Sequence, residues 1–126
     1  MNYVFQFVIS FLSLAILDLV WLGVIMKKHF SGLLGNLLLP KVKLLPTIGV
    51  YLILAAVVVL IISHTKSVGQ AALYGALAGF AIYGVYEFTN FATIVGWPAR
   101  LIAIDILWGT FACGIVSALV FKIFIK

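Results

Sequence analysis

Four long apolar runs, joined by short connections, constrain this chain more than any other feature of its sequence. They cover about residues 3–26, 46–63, 68–91 and 97–125. A helix needs ~20 residues to cross a hydrocarbon core, and runs without period-2 alternation are helices rather than barrel strands. With 66% hydrophobic and only 9% charged residues, the composition excludes a soluble globule and a disordered chain. The sequence predicts an all-α membrane protein, a single domain over residues 1–126 with four transmembrane helices in an antiparallel bundle.

The connections differ in character. Residues 29–45 mix glycine, proline and lysine with leucines and are too few to span, so we expect a short interfacial or re-entrant helix between the first and second spans. Residues 64–67 and 92–96 are short links, which favours antiparallel neighbours. The first run follows no basic residue and is too long for a signal peptide, so we interpret it as a retained helix.

The basic residues indicate an orientation, because cytoplasmic loops carry an excess of lysine and arginine. One predicted side carries five of them and the other carries three. The five are Lys27, Lys28, Lys41, Lys43 and Arg100, and the three are Lys66, Lys122 and Lys126. We therefore expect both termini outside and the lysine-rich side in the cytoplasm. The basic residues form no stripe interleaved with aromatics, so the partners expected are membrane lipids and not nucleic acid.

All three carboxylates of the chain fall inside predicted spans. Asp18, Glu87 and Asp105 are its whole acidic inventory. Because a charge inside the bilayer costs at least ~2.5–3.5 kcal/mol, such residues are usually functional or paired. Counting along the helices places all three in one layer, on the lysine-rich half of the bundle.

Helical spacing adds aromatic and polar neighbours to these acids. Each acid has an aromatic residue one turn away on its own helix, which predicts a polar pocket walled by aromatics and open towards the lysine-rich face. Arg100 either reaches the lipid head groups or pairs across the bundle with Glu87 or Asp18. The candidate pocket residues are Asp18, Trp21, Tyr83, Tyr86, Glu87, Thr89, Asn90, Arg100, Asp105 and Trp108.

Other polar features point to no metal and no defined cofactor. His29 and His64 flank spans at opposite ends and cannot share one ion, and the carboxylates lack a ligand-spacing motif. We predict no metal site, and the cofactor stays unknown. Gly75 and Gly79 form a small-residue surface that serves either a homodimer seam or a contact within the chain.

Four motifs together resemble a known family of small bacterial membrane proteins, domain of unknown function twenty-one seventy-seven (DUF2177). The motifs are Asp18-Leu-Val-Trp-Leu-Gly23, Tyr86-Glu-Phe-Thr-Asn-Phe-Ala-Thr93, Gly96-Trp-Pro98 and Asp105-Ile-Leu-Trp-Gly109. The family more often has Asp where this chain has Glu87, and often a basic residue near Val95. The resemblance implies a four-helix bacterial inner-membrane protein and brings no established activity.

Three functions are compatible with the sequence. Embedded carboxylates suit a small-molecule or proton-coupled carrier, because desolvation favours their protonated form and a substrate can exchange with the proton. Paired acids also suit an intramembrane enzyme acting on lipid-like substrates. Alternatively, the acids only fix helix packing in a structural or assembly subunit. Whether the protein is an enzyme stays open at this point.

Overall fold

The computed structural model describes residues 2–28, 32, 35 and 43–125, and within them the only regular elements are helices. Helix α1 spans Tyr3–Val20 and continues into a π-helical turn, Trp21–Ile25. Helices α2, α3 and α4 span Leu44–Ser63, Val68–Thr93 and Ala99–Phe124. Each of the four is long and apolar enough to cross a membrane. The prediction of an all-helical protein with four such segments is confirmed.

Local sequence explains where the last two helices begin. The Ser67 side chain accepts a hydrogen bond from the backbone N–H of Gln70 at 3.1 Å, which caps the start of α3. Pro98 precedes α4 in an extended conformation, where its missing N–H costs nothing. The predicted interfacial or re-entrant helix falls almost wholly outside the described residues. Its final two positions, 44 and 45, belong instead to α2.

Among the described helices, α3 and α4 are in the most extensive contact, and glycines make it possible. A Cβ atom on Gly75 would lie 2.5 Å from the backbone oxygen of Cys113, and one on Gly79 would overlap the backbone of Gly109. Only glycine permits so close an approach at these two positions. Of the two roles expected for Gly75 and Gly79, the described structure contains the contact within the chain; the homodimer stays a prediction.

Helix α4 lies at the centre of the arrangement. Half of its most apolar segment is buried inside the protein (50%), against 17–22% for the other three helices. It contacts α1 and α2 as well as α3. Large apolar side chains such as Leu19, Val85 and Leu107 point outwards and are about 70% exposed, at 71%, 69% and 70%. This outward apolar surface is what lipid contact requires and what water would penalise.

Candidate functional site

A cavity of about 690 Å³ lies between the four helices and is lined by all three carboxylates of the chain. Most of the predicted pocket residues line it, whereas Thr89, Asn90 and Arg100 do not. Its volume falls in the usual range of small-molecule sites, ~300–1,000 Å³. The predicted residues on its wall are Asp18, Trp21, Tyr83, Tyr86, Glu87, Asp105 and Trp108. That they bind a ligand remains a prediction.

Asp18 joins three helices through two hydrogen bonds. Tyr51 of α2 donates its hydroxyl to Oδ2 at 2.8 Å, and Trp108 of α4 donates Nε1–H to Oδ1 at 2.7 Å. Both donors are neutral, and each reaches a different oxygen of the carboxylate. The carboxylate is therefore held in one orientation on the cavity wall.

Glu87 is almost fully buried, with 1% of its surface exposed. Trp97 donates its Nε1–H to Oε2 of Glu87 at 2.8 Å, although Trp97 follows the end of α3. The chain turns back at Gly96, whose φ of 78° lies in the left-handed region that glycine adopts without strain. This glycine turn brings the indole of Trp97 to the carboxyl group and against the ring of Tyr86, with centroids 6.4 Å apart.

Asp105 completes the group of acids. Its side chain lies within hydrogen-bonding reach of the Glu87 carboxyl group. Two carboxylates within hydrogen-bonding reach of each other repel unless they share a proton, because neither has a donor when both are ionised. The Glu87–Asp105 pair is therefore suited to hold one proton between its two members.

The π-helical turn at the end of α1 shapes another wall. The backbone N–H of Met26 bonds to the oxygen of Trp21 at 2.7 Å, which accommodates one extra residue in the turn. Trp21 stacks on Trp108 with ring centroids 4.4 Å apart and planes 2° from parallel. The Trp21 Nε1–H is buried and lacks a hydrogen-bond acceptor within the described part of the chain. The stack is a flat apolar surface beside Asp18.

The aromatic partners of the acids differ from those expected from spacing. The sequence places an aromatic one turn from each acid on the same helix, but Asp18 is bonded by residues of α2 and α4, and Glu87 by a residue beyond α3. Tyr51 and Trp97 were not among the predicted pocket residues. Tyr51 could have been found, because Thr47 and Tyr51 are polar positions one turn apart near the start of an otherwise apolar helix.

Lys27 is the one basic residue on the described wall of the cavity. Three carboxyl groups thus face one ammonium group, which leaves a surplus of acidic side chains. The described residues hold no group of three His, Cys, Asp or Glu side chains close enough to bind a metal ion.

The fold and cavity define a multi-pass membrane protein with a cavity lined by acidic, aromatic and aliphatic side chains. The family described as predicted membrane protein (DUF2177) matches residues 3–122, and the chain belongs to it. The expected family is therefore confirmed, and its function is unknown. Neither the curated proteins nor the solved structures contain a significant match.

Proposed function

We propose that the protein is a proton-coupled carrier of small molecules and that the cavity is its binding site. The observation that carries the proposal is the convergence of the whole acidic inventory on one cavity of about 690 Å³. Embedded acids are costly to keep, and two of these also lie within hydrogen-bonding reach of each other. A carboxyl pair that holds a proton beside a ligand-sized cavity can exchange that proton for a bound substrate.

The exchange follows from charge. When a substrate enters, its polar group changes the electrostatic environment of Glu87 and Asp105, which share the cavity wall. A positive group favours ionisation of the pair and expels the shared proton, and return of a proton favours release of the substrate. Coupling requires that the loaded and protonated forms open to different sides of the membrane.

We place the protein in the cytoplasmic (inner) membrane of a bacterium as an antiparallel bundle with both termini outside. The cavity draws Asp18 from the end of α1, Thr47 from the start of α2, Glu87 from the later half of α3 and Asp105 from the early half of α4. In an antiparallel bundle, the end of one helix lies at the same depth as the beginning of the next, as these positions do. The exposed Lys27 on this wall supports a cytoplasmic opening.

A homodimer, if it forms, uses a surface other than Gly75 and Gly79. Gly75 and Gly79 are buried against α4, so a seam through them would require α3 and α4 to separate. The cavity within a single chain already has the volume of a small-molecule site.

Proteoliposomes test the proposal directly. Purified protein is reconstituted with pyranine inside, and a pH gradient is imposed. Three external solutes built on a phenyl ring are then compared: benzyltrimethylammonium, phenyl glucoside and benzenesulfonate. We expect at least one solute to drive proton movement in wild type and in Asn90→Ala, whose site does not line the cavity, and none to do so in Glu87→Gln. Absence of solute-dependent proton movement in wild type would overturn the proposal.

A structural role is the second candidate, and the Asp18 contacts favour it. Its two hydrogen bonds connect α1 with α2 and α4, which would fix the packing of the helices even without a ligand. Under this alternative, Asp18→Asn lowers the free energy of unfolding in detergent, while Glu87→Gln has no consequence beyond stability. Loss of proton movement in a Glu87→Gln variant that keeps wild-type stability separates the carrier from the structural role.

A further inference from the structure

We infer that the substrate class of this cavity is an organic cation with an apolar body and a permanent charge, such as a quaternary ammonium or phosphonium. The inference rests on the proposed function for its transport role, but its binding site stands on the geometry alone. Three features of the wall carry it: the acid surplus, the aromatic surfaces beside Asp18, and the way in which Asp18 is already bonded.

The charge of the wall excludes the opposite class first. Three carboxyl groups and the ammonium group of Lys27 line the described cavity. Even with one proton shared by Glu87 and Asp105, the acids still outnumber Lys27. An anionic ligand would face this surplus in a medium of low dielectric constant, where repulsion between like charges is strongest. A cation is attracted by the same surplus.

The aromatic surfaces define the body of the ligand. All three tryptophans of the chain, Trp21, Trp97 and Trp108, line the cavity, and Tyr51 and Tyr83 line it too. The stacked Trp21–Trp108 pair lies next to Asp18, because the Trp108 indole bonds to that carboxylate. Faces of tryptophan and tyrosine attract cations, most strongly where water is excluded, and they pack well on apolar groups.

The bonding of Asp18 indicates the kind of charge. Both of its oxygens already accept a hydrogen bond from the protein, from Tyr51 and from Trp108. A ligand can therefore complement this carboxylate by charge without donating hydrogen bonds of its own. Each oxygen keeps about one further lone pair, so few acceptors remain here for an ammonium group with several N–H groups, and a quaternary cation, which has none, is favoured.

The acids then have two different roles in two parts of the cavity wall. Asp18, between its aromatic donors, is the counter-charge for the bound cation. Glu87 and Asp105, which interact with each other, are the pair that releases a proton when the cation arrives. No covalent step is involved: one positive charge enters the cavity and one proton leaves it.

The test uses the tryptophans as reporters. Because every tryptophan of the chain lines the cavity, quenching of intrinsic fluorescence in detergent reports on this site. Tetraphenylphosphonium and tetraphenylborate have nearly the same size and shape and opposite charges. We expect saturable quenching by the cation and at least about tenfold weaker binding of the anion, the ratio that corresponds to 1.4 kcal/mol. Asp18→Asn, which keeps the shape of the side chain, is expected to weaken cation binding by about tenfold or more.

The controls separate folding from recognition. Asn90→Ala, outside the cavity, is expected to bind the cation as wild type does. If Asp18→Asn fails to fold, the preference of the wild-type protein for tetraphenylphosphonium over tetraphenylborate tests the inference by itself. Equal binding of both ions, or quenching by neither, overturns the inference.

The two proposals can fail separately. Proton movement driven by phenyl glucoside, with no cation binding, would overturn the substrate class and leave the carrier in place. Selective cation binding without solute-dependent proton movement would leave the cation site in place and overturn the carrier.

Discussion

Asp18 lies where one side chain contributes to helix packing and also faces the proposed binding site. Its two neutral donors come from different helices, so the same contacts that orient the carboxylate also connect α1 with α2 and α4. Hydrogen bonds to charged groups contribute more than neutral ones, about 1.5–3 kcal/mol each. Loss of either donor should therefore be measurable in stability.

Tyr51→Phe tests that contribution. It removes the hydroxyl that bonds to Asp18 and leaves the ring in place, so we expect the free energy of unfolding in mixed micelles to fall by about 1.5–3 kcal/mol. Tyr74→Phe is the matched control, because Tyr74 is 46% exposed on α3. The control is expected to change stability by less than about 0.5 kcal/mol. Equal effects of the two variants would show that the Tyr51–Asp18 bond contributes nothing.

Gly96 is the second residue whose role can be isolated. Its positive φ lets the chain return Trp97 to Glu87, and an added Cβ would meet open space but would strain the backbone. We expect Gly96→Ala to cost about 1–2 kcal/mol of stability and to reduce solute-dependent proton movement, because the indole is displaced from the carboxyl group.

Gly69→Ala supplies the comparison for this glycine. Gly69 lies in the first turn of α3 with only an ordinary contact to Ser67, and alanine favours the helix there. Gly69→Ala should therefore keep or raise stability. Normal proton movement in Gly96→Ala would contradict the role given to the turn.

At the scale of elements, the α3–α4 pair is the frame on which the cavity is built. Glu87 and Asp105 lie on these two helices, and their side chains meet because the glycine contact brings the backbones together. Separation of α3 from α4 would disrupt both the contact between Glu87 and Asp105 and the apolar core.

Gly79→Ala is expected to show this dependence. Its Cβ would overlap the backbone of Gly109, which cannot move aside as a flexible side chain could, so we expect a loss of about 1–3 kcal/mol in unfolding free energy. Gly49→Ala on α2 is the control, since nothing lies within 4 Å of its added Cβ. Thermal unfolding in detergent measures both. A Gly79→Ala protein as stable as the control would show that α3 and α4 are not so closely packed.

The helices were predictable from sequence because apolar runs in a membrane protein are dictated by bilayer thickness. The cross-helix bonds were not. Spacing along one helix predicts which residues share a face, and it placed Asp18, Glu87 and Asp105 on the wall of one cavity. It cannot show that Trp108 turns to Asp18 of another helix or that Gly96 sends Trp97 backwards, because these depend on how helices pack and where a turn bends.

At the scale of the whole molecule, the orientation in the membrane decides which side the cavity serves. The positive-inside rule, applied to the larger group of basic residues, predicts that the cavity end faces the cytoplasm. The chain has one native cysteine, Cys113, which is buried, so a Cys113→Ala background allows single cysteines to report on topology.

Membrane-impermeant maleimide labelling of intact cells tests this orientation. We expect labelling of Asn2→Cys and Lys66→Cys, both on the predicted outer side. Lys28→Cys and Arg100→Cys, on the predicted inner side, should react only after the cells are permeabilised. The reverse pattern would show that the cavity end faces outwards.

The proposed function depends on the convergence of three acids on one cavity that a ligand can enter. Dicyclohexylcarbodiimide modifies protonated carboxyl groups in apolar surroundings, and mass spectrometry locates and times its addition. We expect addition at Glu87 or Asp105 that slows as tetraphenylphosphonium fills the cavity, over the same concentrations that quench tryptophan fluorescence. Modification at an unchanged rate with the cation saturating would contradict it, because the acids would then lie apart from the cavity.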